Sequence, residues 1–192
     1  DNNVADSLTF VAAELQYSDG KKAAALTGFK NYISKYPDGR YAMEANYYAA
    51  EMSRENKALQ DAIKYYDAVA AKAPNKFAER SLVYLSRMHY FELKDYAKAA
   101  NYYQLLKTYA TETDTRLEGM RGLIRSQYYL KDYANAVTNA KELLQQGGAG
   151  SDDKIFANLV LGIQAKANGN CNEAIGYFKT VAGLSKAEFG AE

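Results

Sequence analysis

The stretches ALTGFKNYISKYP (Ala25–Pro37) and AIKYYDAVAAKAP (Ala62–Pro74) share one pattern, and they begin 37 residues apart. In each stretch an alanine is followed by an aromatic residue at the fourth position, a tyrosine or valine at the seventh and a proline at the twelfth. The first three positions fall on one face of an α-helix, because residues three and four apart are neighbours there. The proline ends such a helix, since it lacks the amide hydrogen and clashes with the preceding turn.

The same alanine recurs along the chain at a nearly constant interval, as Ala25, Ala62, Ala99, Ala136 and Ala174. Each alanine segment is preceded by a stretch with helical periodicity, and these stretches are Val4 to Tyr17, Tyr41 to Ser53, Phe77 to Leu93, Thr115 to Leu130 and Lys154 to Ala167. Such a period is typical of stacked repeats, in which each repeat buries its apolar face against its neighbours. We therefore expect an all-α, right-handed solenoid of five helix-turn-helix hairpins.

The alanines also predict the boundaries of the repeats within a single domain, 1–192. The expected repeats are residues 4–37, 41–74, 77–111, 115–148 and 152–186. Alignment by the alanines sets Phe189 over Phe77, which opens a first helix, so we expect the start of a sixth repeat at the carboxyl end. The chain also opens on Asp1 rather than methionine, and we interpret it as a piece of a longer protein whose leader or N-terminal region has been removed.

The composition disfavours two classes of protein. Lys plus Arg number 24 and Asp plus Glu number 23, and a net charge of +1 provides no long-range field that would attract nucleic acid. The apolar runs are only a few residues long, far short of the roughly 20 needed to cross a bilayer, so direct membrane insertion is not expected.

The sequence offers no residues for catalysis, a metal site or a cofactor. Cys171 is the only cysteine and His89 the only histidine, so neither has a ligand or nucleophile partner of its own kind. We expect Cys171 to be a small buried side chain and His89 to be packed or on the surface. The glycine-rich Gly147–Gly150 lacks the Gly-Lys-Ser/Thr ending of a phosphate-binding loop. We predict that the chain is not an enzyme and needs no cofactor.

The alanine, aromatic, apolar and proline positions resemble the second helix of tetratricopeptide-repeat proteins. The first helices match that family less evenly: Leu161 and Gly162 occupy its Leu-Gly positions in the fifth repeat only, and the repeat is 37 residues long rather than about 34. The resemblance implies a scaffold that binds a protein or peptide partner in a concave groove lined by the first helices.

A narrower resemblance lies in FKNYISKYPDGRYAMEANYYAAE (Phe29–Glu51). This segment is similar to the periplasmic tetratricopeptide proteins of the Tol-Pal system and to the outer-membrane-assembly lipoproteins with the same repeat. The similarity implies a periplasmic or outer-membrane-associated location in a bacterium and a scaffolding role. It does not identify the partner.

Three positions in each first helix, at a fixed spacing before the repeating alanine, are those that the family resemblance places in the groove. The predicted partner-binding residues are Tyr47, Glu51, Arg54, Tyr84, Met88, Phe91, Arg121, Arg125 and Tyr128. The same spacing gives Phe10, Glu14 and Tyr17 in the first hairpin and Leu159, Ile163 and Lys166 in the last.

The fourth repeat carries an excess of positive charge. Residues 115–151 contain five basic and three acidic side chains, and Arg121 and Arg125 stand at groove positions. Arginine offers paired donors to a carboxylate, so we expect these two residues to hold an acidic group of the partner. A solvated helix face is the alternative.

Two other functions stay open on the sequence alone. The chain could associate with itself through Leu159, Ile163 and its last hairpin. It could also be the accessory domain of a larger enzyme whose active site lies outside this chain.

Overall fold

The computed structural model describes the backbone of residues 2–189 and the side-chain burial of residues 4–187. This part of the chain contains α-helices, one π-helical turn and no strand. The helices are α1 Asn2–Ser18, α2 Lys22–Lys35, α3 Ala42–Glu55, α4 Leu59–Ala70, α5 Ala78–Arg87, α6 Tyr96–Tyr109, α7 Thr113–Tyr129, α8 Tyr133–Gln145, α9 Ser151–Ala167 and α10 Cys171–Phe189, with the π-helical turn at Met88–Glu92. The predicted all-α fold is confirmed as an α-solenoid of helical hairpins.

The chain divides into two compact units, Asp1–Met88 and His89–Glu192, which we call unit 1 and unit 2. Unit 1 contains helices α1 to α5, and unit 2 contains helices α6 to α10. Each unit is described by itself below.

The repeating alanines lie in the core of each unit, as the sequence pattern predicts. All five are buried, and the residues four and seven positions after Ala25, Ala62, Ala99 and Ala136 are buried with them. An alanine at this point adds no bulk between the paired helices, so the larger side chains beside it can reach across the hairpin. In unit 2 this core joins α7, α8 and α9 through Ile124, Ala140 and Val160.

Two further positions in the first helices make the contact with the preceding hairpin. Their distances in sequence from the repeating alanine are those of Ala45 and Tyr48 from Ala62, and we call them the stacking positions. In the third to fifth hairpins they are Leu82 and Leu85, Gly119 and Gly122, and Ala157 and Val160. All are buried except Tyr48, which is half-buried, and each pair lies on a helix that contacts the second helix before it.

The two glycine stacking positions let α6 and α7 approach closely. A Cβ atom built on Gly119 would lie 2.8 Å from the backbone nitrogen of Lys107. One built on Gly122 would lie 2.3 Å from the ring of Tyr103. Neither position has room for a side chain, because the facing helix already fills that space.

Every turn between paired helices uses a residue in the left-handed conformation, always five residues before the alanine. These residues are Gly20, Lys57, Lys94, Lys131 and Gly169, with φ between 52° and 80°. Glycine adopts this conformation without steric cost, whereas a lysine there is strained by about 1 kcal/mol. The sequence analysis did not single out these three lysines.

The helix ends follow the predicted stop signals, with one exception. Helices α2 and α4 end before Pro37 and Pro74, and α8 ends before Gly147. Helix α10, however, continues to Phe189, past the predicted repeat boundary near residue 186. No proline or glycine follows Gly183 until residue 190, and Ala, Lys and Glu favour helix. Residues 190–192, where the predicted sixth repeat would continue, lie outside the described residues.

The structure places the single cysteine and the single histidine differently. Cys171 is exposed at the first position of α10, so the prediction of a buried thiol is wrong. His89 is packed, as one of the two expectations had it, and its ring stacks on Tyr102 with a centroid distance of 5.2 Å.

No helix in the described residues has both the length and the apolar composition of a membrane span. Within the same residues, no three side chains of the metal-ligating types come together.

Candidate functional site

The nine predicted partner-binding residues are divided between the two units. Unit 1 holds Tyr47, Glu51, Arg54, Tyr84 and Met88, and unit 2 holds Phe91, Arg121, Arg125 and Tyr128. The first set forms a cluster of paired side chains, and part of the second set lines a pocket.

Glu51 is the centre of the unit 1 cluster. Its carboxylate accepts hydrogen bonds from Arg54 at 3.2 Å and Arg80 at 3.0 Å, and also from the hydroxyl of Tyr66. Only 13% of the Glu51 side chain is exposed. The carboxylate is therefore satisfied by side chains within the unit, and its contact with a partner stays a prediction.

The cluster extends from Glu51 to stacked aromatic rings. The Arg54 guanidinium lies over the Tyr84 ring, 4.2 Å from its centroid, and Tyr84 stacks on Tyr66 at 5.4 Å. Burial, followed by the hydrogen bond to Glu51, raises the pKa of Tyr66. Cation–π contact and stacking hold these side chains in place.

The remaining groove residues of unit 1 differ in exposure. Tyr47 is half-buried and stacks on Phe77 with a centroid distance of 4.3 Å. Met88 is only 5% exposed, so it offers almost no surface to a partner. Met88 begins the π-helical turn, whose wider winding departs from the α-helical spacing used to place it. Phe10, at the matching position in α1, is also buried.

Arg121 in unit 2 has an acidic partner within its own unit. Its guanidinium donates to the carboxylate of Asp153 at the start of α9, and the Asp153 carboxylate also accepts from the backbone nitrogen of Gly150 at 3.1 Å. Asp153 is buried. The expectation that Arg121 holds an acidic group of a partner is therefore not supported, because this side chain is already paired.

We expect Asp153→Asn to lower the free energy of unfolding by about 1–2 kcal/mol. The amide keeps the shape and can still accept from Gly150, but it loses the charged contact with Arg121 and the favourable charge at the helix N-terminus. The matched control is Asp152→Asn, which removes the same charge from the exposed neighbour in the same turn. Urea titration followed by circular dichroism measures both variants; equal losses would show that the Arg121 pair contributes nothing.

Arg125 and Tyr128 line an apolar pocket between α7 and α9. Its volume is about 600 Å³. The residues that line it are Tyr90, Ile124, Arg125, Tyr128, Tyr129, Phe156, Leu159, Val160 and Ile163. Two predicted partner-binding residues therefore line the same pocket as Leu159 and Ile163. The fixed spacing before the repeating alanine places these two residues at the groove positions of the last hairpin.

Arg125 is the only basic residue in this lining. It is exposed, and its guanidinium lies 4.8 Å from the centroid of the Phe156 ring. Among the described residues, no carboxylate pairs with it. Burial raises the pKa of Tyr90, the nearby Tyr129 raises it further, and Arg125 acts in the opposite direction. The Arg125 charge is thus close enough to the pocket to act on groups within it.

Tyrosine rings form one wall of the pocket. Tyr129 stacks on Tyr96 with a centroid distance of 4.3 Å and meets the edge of Tyr90 at 6.0 Å. Phe91, the remaining predicted residue, is exposed and does not line the pocket. Its ring contacts Tyr90 with a centroid distance of 4.7 Å. Ring–ring contacts keep this wall in a defined shape.

The sequence analysis missed Tyr90, Tyr129 and Phe156. Tyr90 lies in the π-helical turn, where α-helical spacing does not apply. Tyr129 was visible as the second member of a tyrosine doublet, and Phe156 lies three residues before a predicted groove position, on the same helix face.

The pocket lining contains no carboxylate, cysteine or histidine. What it offers is apolar contact, tyrosine hydroxyls and one guanidinium. Such a surface suits binding of apolar side chains together with a negatively charged group.

Comparison with known proteins agrees with this fold. Residues 9–39 match the family model of the tetratricopeptide repeat. The MamA protein has a similar structure, with a TM-score of 0.61 and 12% identity over 96% of this chain and 94% of that chain. A tetratricopeptide repeat protein from Parabacteroides merdae gives a TM-score of 0.60 and 18% identity over 96% of this chain and 67% of that chain.

A Podosopora anserina protein with nearly identical TPR-like repeats gives a TM-score of 0.54 and 14% identity, over 95% of each chain. No curated protein matches the sequence. Together these findings support a repeat scaffold of the tetratricopeptide type, a class that generally mediates protein–protein interaction and is generally non-catalytic. The narrower similarity to Tol-Pal and outer-membrane-assembly proteins stays a prediction.

Proposed function

We propose that this chain is a non-enzymatic scaffold that binds an apolar segment of a partner protein in the pocket between α7 and α9. The observation that carries the proposal is the combination of an apolar lining with Arg125, whose guanidinium has no carboxylate partner among the described residues. In the bound state an acidic side chain of the partner would lie against Arg125.

The size and chemistry of the pocket fit a short peptide segment. A volume of about 600 Å³ has room for a few apolar side chains. Each one buried there contributes about 1.5–3 kcal/mol before the cost of ordering the segment. Tyr and Arg are the residue types that dominate binding energy at protein interfaces.

The structure changes the expected mode of binding in one respect. The sequence predicts an acidic group held by Arg121 and Arg125 together. Because Arg121 is paired with Asp153, the proposal rests on Arg125 alone. The segment would follow α7 and α9 in a helix-in-groove mode, with apolar residues three and four positions apart.

Selection from a displayed library of random peptides tests this proposal. The chain serves as the target, and its Arg125→Glu variant serves for counter-selection. We expect the enriched peptides to combine apolar residues at helical spacing with at least one acidic residue. Fluorescence polarisation should show that Arg125→Glu weakens binding of a selected peptide by at least about tenfold, because an attractive charge becomes a repulsive one.

The matched control is Lys141→Glu, which makes the same charge change at an exposed site on α8 outside the pocket. Tyr129→Ala tests the aromatic wall in the same assay and should also weaken binding. If the selected peptides bind equally well to the wild type and to the Arg125 and Tyr129 variants, the pocket is not the binding site.

We also propose a location in the bacterial cell envelope, supported by the similarity of Phe29–Glu51 to periplasmic tetratricopeptide proteins. Fusion of the complete reading frame to alkaline phosphatase, which is active only outside the cytoplasm, tests it. An inactive but stable fusion would contradict this location.

A second candidate function is self-association. The observation in its favour is the exposure of two apolar side chains in the last hairpin, Leu159 at 37% and Ile163 at 48%.

A further inference from the structure

Unit 1 has a pocket of its own between α2, α3 and α4, which we call the α2–α4 pocket. Its volume is about 420 Å³. The apolar part of its lining is formed by Ile33, Pro37, Ala42, Met43, Ala68 and Ala71. The pocket lies at the junction of the first two hairpins, with α1 before it and α5 after it in the chain, so it is not an end surface of unit 1.

Two alanines of α4 leave the space for this pocket. Ala68 and Ala71 are both exposed, although they lie in the lining. At the same distances after the repeating alanine, α6 carries the longer side chains of Leu105 and Thr108. Side chains of that size on α4 would fill the opening, so the pocket is a property of the second hairpin rather than of the repeat in general.

Tyr65 lines the pocket and has an unpaired hydroxyl. The residue is only 6% exposed, and among the described residues its hydroxyl has no hydrogen-bond partner. Buried tyrosine hydroxyls usually have one. The ammonium groups of Lys64 and Lys30 lie 5.3 Å and 5.8 Å from the centroid of its ring. Lys30 is paired with Asp61 at 2.6 Å, whereas Lys64 forms no ion pair within the described part of the chain. The hydroxyl is therefore available to a group from outside the unit.

Asn46 supplies an acceptor in the same lining. Its side-chain nitrogen donates to the carbonyl oxygen of Ala42 at 2.7 Å, and its side-chain oxygen accepts no hydrogen bond from the described residues. A hydroxyl donor and an amide acceptor match the carbonyl and the N–H of a peptide backbone. These backbone groups are free in an extended segment, whereas a helix bonds them internally. The polar groups of the pocket thus favour an extended segment.

Charged side chains lie at both ends of the pocket. Lys64 is in the second turn of α4, and Lys72 follows the end of that helix. Eight helical residues separate them by about 12 Å, a length that about four residues of an extended segment span. The two lysines outnumber Asp38, the only acidic residue among the described lining residues. The excess of positive charge favours acidic groups on the occupant.

We propose that an extended, acidic segment of a partner protein binds in the α2–α4 pocket. An apolar side chain of the segment lies against Met43, its backbone pairs with the Tyr65 hydroxyl, and acidic residues on either side face the two lysines. An amphiphile with a single anionic head would match only one of these lysines. The site lies wholly in unit 1 and does not depend on peptide binding between α7 and α9.

Selection from a displayed library of random peptides tests the proposal. The target is the chain with Arg125→Glu and Tyr129→Ala, so that the α7–α9 pocket contributes little. Counter-selection uses the same chain with Ala68→Leu and Ala71→Thr, which gives α4 the residues that α6 carries at these positions. We expect enriched peptides to hold an apolar residue between two acidic ones. Fluorescence polarisation should show at least about tenfold weaker binding to the filled variant, because the apolar side chain loses its site.

Further variants of the same target test the separate contacts. Leu105→Ala with Thr108→Ala makes the reverse change on α6 and should leave binding unchanged. Lys64→Glu should weaken binding by at least about tenfold, whereas Lys141→Glu, the same charge change at an exposed site on α8, should not. Tyr65→Phe should weaken binding by about threefold or more. It should leave the urea midpoint unchanged, because the hydroxyl has no partner among the described residues.

Two results would overturn the proposal directly: a selection that enriches no peptide, and peptides that bind the filled variant as tightly as its parent. Decanoate serves as a competitor for the third. If it displaces the labelled peptide as effectively as unlabelled peptide does, the site binds a single-headed amphiphile and the choice of a protein segment is wrong. All these outcomes are separable from the function proposed for the α7–α9 pocket, since that pocket is altered in the same way in every protein compared.

Discussion

Replacing Gly119 with alanine should lower the free energy of unfolding of unit 2 by about 2–3 kcal/mol, at the upper end of the usual range for overpacking. The new Cβ would lie 2.8 Å from the backbone nitrogen of Lys107 and 3.2 Å from the carbonyl oxygen of Tyr103. Backbone atoms cannot rotate out of the way as the end of a side chain can. The helices α6 and α7 would have to separate, and contacts along their interface would weaken.

Urea titration followed by circular dichroism measures this loss, with Gly176→Ala and Gly183→Ala as matched controls. Both control glycines lie inside α10, and a Cβ on either meets no atom within 4 Å. Alanine there should raise stability by up to about 1 kcal/mol through its higher helix propensity. A Gly119→Ala protein as stable as the wild type would mean that α6 and α7 do not approach as closely as described.

Replacing Tyr32 with phenylalanine should cost unit 1 about 1–3 kcal/mol, because a buried carboxylate loses a donor. The Tyr32 hydroxyl donates to Asp6 and accepts from the backbone nitrogen of Tyr41 at 2.9 Å. Asp6 is buried and also accepts from the backbone nitrogen of Arg40 at 3.0 Å. Phenylalanine keeps the ring but leaves Asp6 and the Tyr41 N–H each short of a partner.

The same hydroxyl should make unit 1 sensitive to high pH. Burial, followed by the hydrogen bond to Asp6, raises the pKa of Tyr32 from 10.0 to about 12. The folded state then holds this proton more tightly than the unfolded state. The resulting stabilisation is complete below about pH 10 and is lost as the pH rises towards 12.

Urea titrations at neutral pH and at successive values through this alkaline window measure both effects. Relative to the wild type, Tyr32→Phe should lose less stability as the pH rises. The control is Tyr17→Phe, which removes a hydroxyl from an exposed ring of α1. Tyr32→Phe could instead be as stable as the wild type at neutral pH and lose as much stability as the wild type at alkaline pH. That result would contradict both the hydrogen bond to Asp6 and its effect on the pKa of Tyr32.

The hairpins and the core could be predicted because their signals are local and repeated. The helical spacing of apolar residues around each alanine specifies which face is buried, and the packing of Phe29 and Tyr66 follows from it. Helix α10 extends past the predicted boundary near residue 186 because no residue there prevents its continuation. Residues 184–189 contain neither proline nor glycine.

The candidate site could be predicted only in part. Position in the repeat identified Arg125 and Tyr128, but it also selected Met88, which the π-helical turn takes out of the α-helical register. The pairing of Arg121 joins residues 32 apart in sequence, and spacing within one helix cannot reveal it. Whether a groove residue is free for a partner depends on such contacts between helices.

Because every turn has its left-handed residue at the same position, each hairpin is a self-contained structural unit. Gly20, Lys57, Lys94, Lys131 and Gly169 hold the same place in five different turns. A duplicated repeat that keeps the left-handed residue at this position contains its own turn and needs no new loop. Deletion of a whole repeat likewise leaves the turns of the other repeats intact. Change in the number of repeats is then possible one whole hairpin at a time, while the insertion of a few residues into a turn would displace the helix that follows.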